Sequence, residues 1–145
     1  MSLASLTPQY GEVWIIFDRD QVQNFDEIIF KAKERGINVG WTNPCIEEWF
    51  CAYFGVMPRY QDSVSCCNGF ETIFKQATKQ KYVKSDSSIY EKLNRFGDEE
   101  TSIRIANQKL KEHERNGQTK PSLMCPCTTI HCLVKEIKDK VTKTN

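Results

Sequence analysis

Two aspartates one residue apart, Asp18 and Asp20, follow the apolar run Val13-Trp14-Ile15-Ile16-Phe17 and bracket Arg19. Carboxylates at i and i+2 leaving a strand can both turn toward one cation; unpaired, they repel and raise each other's pKa. The structural alternative is that Asp20 caps the next helix and Asp18 pairs with a basic side chain. Further along, Glu47 stands one turn into the helix expected after Asn43-Pro44, where a first-turn acid also suits the helix dipole. Oxygen donors of this kind suit Mg²⁺ or Mn²⁺, which take one or two protein carboxylates and keep several waters. Asp18, Asp20 and Glu47 are therefore the candidate metal ligands. His131 falls in the first turn of the last expected helix, where the dipole lowers its pKa and exposed N–H groups can receive a phosphate. Lys81, Lys84 and Arg104 are basic residues able to contact phosphate.

These residues need elements to position them. The run 13 to 17 lacks alternation, as expected of a strand buried on both faces of a parallel sheet. Asn24 with Glu27 three residues on predicts a helix start, and Phe25, Ile28, Ile29 and Ala32 form one stripe ending at Gly36. Residues 37 to 42 read as a second strand, so the unit is strand, helix, parallel strand with a right-handed crossover. Asn43 as N-cap and Pro44 at the first helical position predict a helix carrying Ile46, Trp49, Phe50, Tyr53 and Phe54, stopped by Gly55. Residues 56 to 69 show no clean period and read as a loop. Helices are expected at about 70 to 80, 87 to 95, 99 to 115 and 129 to 142; in the last, Ile130, Leu133, Val134, Ile137 and Val141 share a face. Two strands cannot stand alone, so the fold is an α/β sheet, incomplete in this chain, with a helical C-terminal half. Ligands in such sheets bind beyond the carboxyl ends of the strands, where both strands here end in polar residues.

The chain has 145 residues, 39% of them hydrophobic, which fits one domain over residues 1–145. No apolar run approaches the roughly 18 residues of a membrane span, and no basic-then-apolar leader opens the sequence, so a cytoplasmic protein without membrane contact is expected. Seven cysteines, an odd count, are read mostly as reduced thiols. Cys125, Cys127 and Cys132 with His131, joined by Cys66-Cys67, offer zinc donors, but their spacing departs from that of structural zinc sites. Residues 1 to 57 carry 4 Lys+Arg against 8 Asp+Glu, and residues 58 to 145 carry 16 against 11. An acidic half beside a basic half suits a cation and a polyanionic substrate.

The strings VWIIFDRD, NFDEIIFKAKERGI, NPCIEEWF, KYVKSDSSIYEKL and CPCTTIHCLV, taken as a set over about residues 12 to 137, resemble the RloB-like family, also termed AbiL-type abortive-infection proteins of bacterial phage defence. Most specific are N-P-C-x-E-x-W at its distance from D-R-D, and T-T-x-H near the end. The resemblance implies a Toprim-like (Rossmannoid) fold and a metal-dependent nuclease acting beside a partner ATPase of the same operon. It matches Asp18 and Asp20 to the Toprim D-x-D pair, Glu47 to the acid of N-P-C-x-E, Lys84 to the lysine of Y-x-K, and Thr129 and His131 to the terminal motif. Family members also carry an N-terminal segment with a first strand and a further glutamate, so the chain is expected to be the C-terminal portion of such a protein.

The function expected from this reading is Mg²⁺-dependent phosphodiester hydrolysis, with Asp18, Asp20 and Glu47 at the metal and Lys84 or His131 assisting. The substrate is DNA or RNA, tRNA included, and homo-oligomerisation is left open. Two alternatives stand beside it. A phosphatase of the haloacid dehalogenase type would use Asp18 as nucleophile and Asp20 as acid and base, since FDRDQV also fits D-x-D-x-V. A non-catalytic subunit would dock onto the ATPase and bind no metal.

Overall fold

The computed structural model describes residues 12–20 and 22–144. The apolar run forms β1 (Trp14–Asp18), and after a turn the chain enters helix α1 (Phe25–Glu34). Asn24 is its N-cap, as the Asn24/Glu27 spacing predicts, although the Asn24 side chain makes no capping hydrogen bond. Phe25, Ile29 and Ala32 are buried on the sheet: Phe25 meets Phe17 and Trp41 edge-on at centroid distances of 5.2 and 5.7 Å. Gly36 supplies the left-handed φ of 74° that turns the chain out of α1. Strand β2 (Asn38–Asn43) then runs parallel to β1, in a register that sets Asp18 beside Thr42.

The structure adds a third strand that the sequence pattern does not predict. β3 (Cys127–Thr128) pairs antiparallel with β2, giving the order β1-β2-β3 and a mixed sheet rather than a wholly parallel one. Two residues are too few for a period, and the pairing rests on threonine hydroxyls. Thr128 Oγ1 lies 2.8 Å from Thr42 Oγ1 and 3.1 Å from the Trp41 carbonyl, and it accepts the Ile130 N–H at 3.1 Å. Thr129 Oγ1 accepts the Trp41 N–H at 2.9 Å and donates to the Val39 carbonyl at 3.0 Å. All these groups lie at the junction of β2, β3 and helix α6 (Ile130–Thr144). Thr128→Val, which keeps the shape and removes the fully buried hydroxyl, is expected to lower the unfolding free energy by about 1–3 kcal/mol. Urea denaturation checks this; an unchanged midpoint would show that the hydroxyl does not hold β3.

Between β2 and β3 the chain is helical. α2 (Ile46–Ala52) starts later than its motif predicts: Cys45, not Asn43, is the N-cap. Asn43 stays in β2 because its amide is committed elsewhere, donating to the carbonyls of Pro121 and Ser122 at 3.1 and 3.2 Å. The residues read as loop at 56 to 69 contain the first turns of α3 (Ser63–Thr78), capped by Asp62, whose Oδ1 accepts the Ser65 N–H at 2.8 Å. Gly69 sits inside that helix because Tyr60 packs over it, where any Cβ would collide with the Tyr60 hydroxyl. α4 (Ile89–Phe96) and α5 (Glu99–Arg115) follow, α5 with Asp98 as N-cap. The core of this half joins Trp49, Tyr53, Phe70, Phe74, Tyr82 and Leu93. The apolar stripe of α6 is buried only in its first half, since Ile130 is covered whereas Ile137 is 52% exposed. No helix among the described residues is long and apolar enough to cross a membrane.

Candidate functional site

β1 and α2 bring two carboxylates together. Asp18 ends β1 half-buried, and Glu47, in the first turn of α2, is fully buried. Burial pushes the Asp18 carboxyl up to about 6; the nearby charges of Glu47 and Asp20 add to the rise, and the Ile46 N–H and the Lys84 ammonium oppose it. Glu47 therefore lies close enough to Asp18 to share an electrostatic environment, and the α2 backbone offers Asp18 a donor. On the far side of Glu47, the Tyr82 hydroxyl donates to Oε2 at 2.7 Å, and Lys84 Nζ stands 3.7 Å from Oε1. Oε1 is shielded from solvent and accepts no hydrogen bond. The Lys84 ammonium is held above its ordinary pKa mainly by Glu47, with Asp18 contributing.

Tyr82 is not among the candidate residues named from the sequence, yet a signal for it exists. Tyr82 and Lys84 stand two apart between α3 and α4, the spacing at which extended backbone turns side chains to the same side. Both reach Glu47.

Asp20 stands apart from this group. It is exposed, adopts a φ of 37°, and its N–H donates to the Pro44 carbonyl at 2.9 Å. It does not cap α1, whose N-cap is Asn24. It lines a neighbouring cavity with Arg19, although its charge still reaches Asp18. His131 lies elsewhere again. It is buried at the start of α6, in a groove between α5 and α6 lined also by Arg104 and Lys135. Burial pushes its imidazole down to about 4, with Lys135 adding to the fall and the Thr128 backbone opposing it. The first turn of α2 holds a second buried acid that the sequence reading leaves aside. Glu48 accepts a weak hydrogen bond from the Cys66 thiol at 3.6 Å, and burial pushes it up to about 8. All seven cysteines are free thiols. Among the described residues, no group of three or more His, Cys, Asp and Glu side chains has the arrangement to hold a metal ion.

Residues 4–137 match the family described as RloB-like protein. The chain belongs to the RloB-like family. That span contains all five candidate site residues, Asp18, Asp20, Glu47, Lys84 and His131, together with Tyr82. No curated protein and no solved structure matches this RloB-like chain. Its carboxylates thus stand on their own geometry: one acid at the end of β1 and one in the first turn of α2, with Tyr82 on one oxygen of Glu47 and Lys84 near the other, shielded one.

Proposed function

We propose that this RloB-like chain carries the metal-binding part of a nuclease site, with Asp18 and Glu47 as the protein ligands of Mg²⁺ or Mn²⁺. The observation that carries the reading is the nearness of these two carboxylates, Asp18 at the end of β1 and Glu47 in the first turn of α2, with Glu47 Oε1 buried and accepting no hydrogen bond, the Lys84 ammonium standing 3.7 Å from it. A shielded carboxylate oxygen without a hydrogen bond is costly, and a long ion pair to a largely exposed lysine satisfies it only in part. The donor set fits a hard ion that needs one or two protein carboxylates and fills its remaining positions with water. Bound there, the ion would supply Lewis acidity toward a phosphodiester and its attacking water.

The chain's own residues have separate tasks. Asp18 must be ionised to serve as a ligand, which the neighbouring Lys84 favours. Tyr82 fixes one oxygen of Glu47 and leaves the other to the ion. Lys84, 68% exposed at the mouth of the group, is placed to meet a phosphate oxygen. Asp20 would join as an outer ligand through water, and His131 would contact the nucleic acid beyond the metal. Membership of the RloB-like family is consistent with a role in defence. A Toprim-type arrangement, a nucleic-acid substrate and a partner ATPase belong to the same proposal.

Calorimetric titration with Mn²⁺ tests it. Since the Asp18 carboxyl sits at about 6 in the folded chain, it is ionised at pH 8 and mostly protonated at pH 5. Affinity is expected to fall about tenfold between those two pH values, in step with the ionised fraction. Absence of binding at pH 8, or binding that ignores pH, would sink the reading.

A further inference from the structure

A second feature lies against the same strand ends. A cavity of about 460 Å³ is lined by Arg19 and Asp20 from the turn after β1, by Arg59 and Asp62 from the segment before α3, and by Ser63 and Cys125. Four charged side chains share this space, yet neither guanidinium makes an ion pair with a described carboxylate within 4 Å. Asp62 is already engaged as the cap of α3, accepting the Ser65 N–H. Arg19 Nε and Ser63 Oγ are both shielded from solvent and have no hydrogen-bond partner. A buried donor without an acceptor costs free energy, and two residues that carry such donors line one cavity, which points to a ligand rich in acceptor oxygens. The two guanidiniums also converge. Burial raises the Cys125 thiol, and the charges of Arg59 and Arg19 both offset that rise.

We propose that this cavity is a phosphate-binding subsite, in which Arg19, Arg59 and the Ser63 hydroxyl hold a backbone phosphate of a nucleic-acid strand beside the phosphodiester presented to Asp18 and Glu47. Position gives the link. Arg19 directly follows Asp18, while Asn43 and Pro44, which line the cavity, lead into the helix that carries Glu47. Guanidinium groups suit phosphate because their fixed fork of donors matches two oxygens at once. Asp20 and Asp62 bring the formal charge of the lining side chains to zero. Affinity therefore comes from directed hydrogen bonds, and long-range attraction contributes little. That the phosphate belongs to a nucleic acid rests on the nuclease reading; the anion subsite itself does not.

The test is fluorescence anisotropy in EDTA with the whole chain and labelled single-stranded DNA and RNA oligonucleotides of matching sequence, inorganic phosphate serving as competitor. Arg59 is exposed, so Arg59→Gln keeps the fold, which circular dichroism verifies. The expected result is that Arg59→Gln and Ser63→Ala each weaken binding of both oligonucleotides by about tenfold, uniformly across sequences. Lys111→Gln, on the exposed side of α5, leaves binding unchanged. Inorganic phosphate competes with the unsubstituted chain and not with Arg59→Gln. Oligonucleotide binding that ignores both substitutions, or no binding by the unsubstituted chain, overturns the subsite. The two proposals fail separately. Loss of Mn²⁺ binding with the Arg59 effect intact leaves an anion-binding module, whereas Mn²⁺ binding without the Arg59 effect leaves the metal reading and removes the subsite.

Discussion

Asp18→Asn abolishes Mn²⁺ binding and any metal-dependent cleavage, and at the same time raises the melting temperature at pH 8. The first half follows from removing one of only two protein carboxylates at the proposed metal. Loss of a direct ligand should exceed the roughly 10- to 100-fold penalties that accompany changes to outer-shell partners. The second half follows from the direction of the pKa shift. Burial holds the Asp18 carboxyl at about 6, above its ordinary value of 3.8. The folded state therefore binds the proton more tightly than the unfolded one, so the contribution of this group is favourable at low pH and is lost as pH rises through about 4 to 6. Asn mimics the protonated acid at every pH and can still accept the Ile46 N–H. Its advantage is absent at pH 3 and full at pH 8. Thermal denaturation at both pH values, beside calorimetry with Mn²⁺, measures the two halves independently. A variant that melts lower than the parent at pH 8 would contradict the burial argument, and one that still binds Mn²⁺ would contradict the metal assignment.

The second large effect comes from the core. Phe70→Ala is expected to cost about 3–5 kcal/mol of unfolding free energy, the usual range for truncating a buried phenylalanine. Phe70 is fully buried on α3 and lies 4.7 Å from the ring of Tyr82, 5.4 Å from Phe50 and 5.6 Å from Phe74. Its edge-to-face contact with Tyr82 gives this truncation a consequence beyond stability. Tyr82 carries the hydroxyl that fixes Glu47, so loosening its ring loosens the shielded carboxylate. Phe70→Leu, which fills most of the volume, should recover much of the stability, and comparing Mn²⁺ affinities of the two variants separates packing from positioning. Equal midpoints for Phe70→Ala and the parent in urea would show that the aromatic cluster is not the core of the helical half.

The sequence made the front of the molecule legible because its patterns are strong. The unbroken run before Asp18 reads as β1, the Phe25, Ile29 and Ala32 stripe as α1, and Gly36 as the turn into β2. The helices after residue 86 follow their starts closely, since Asp98 is followed by an acidic first turn and α5 begins at Glu99. What stayed hidden depends on distant partners. β3 has only two residues, and its pairing comes from Thr128 and Thr129 reaching Trp41, Thr42 and Val39, which no local window contains. The start of α3 stayed hidden because residues 56 to 69 show no clean period, and Gly69 sits inside that helix under the packing of Tyr60. Asn43 has the residue type of a cap, but tertiary hydrogen bonds from the 121–122 turn claim its amide. At the site, the D-x-D spacing singled out Asp18 and Asp20 together and could not show that the next turn would leave Asp20 exposed in the lining of the cavity it shares with Arg19. Nor does residue type mark Glu48 as buried, because a helix with two adjacent acids ordinarily turns one of them to water.

The threonine junction also bears on the order in which the chain can be completed during synthesis. β1, α1 and β2 leave the ribosome early, but β2 keeps one side unpaired until Thr128 arrives, 86 residues after its hydroxyl partner Thr42. Contacts of such long sequence separation form late, because the loop-closure entropy must be met before they return any free energy. The second edge of the strand that leads into Glu47 is therefore covered only after β3 has been translated. A nascent chain that stops short of Cys127 would have every proposed metal ligand in its sequence and would lack the strand that closes the second edge of β2.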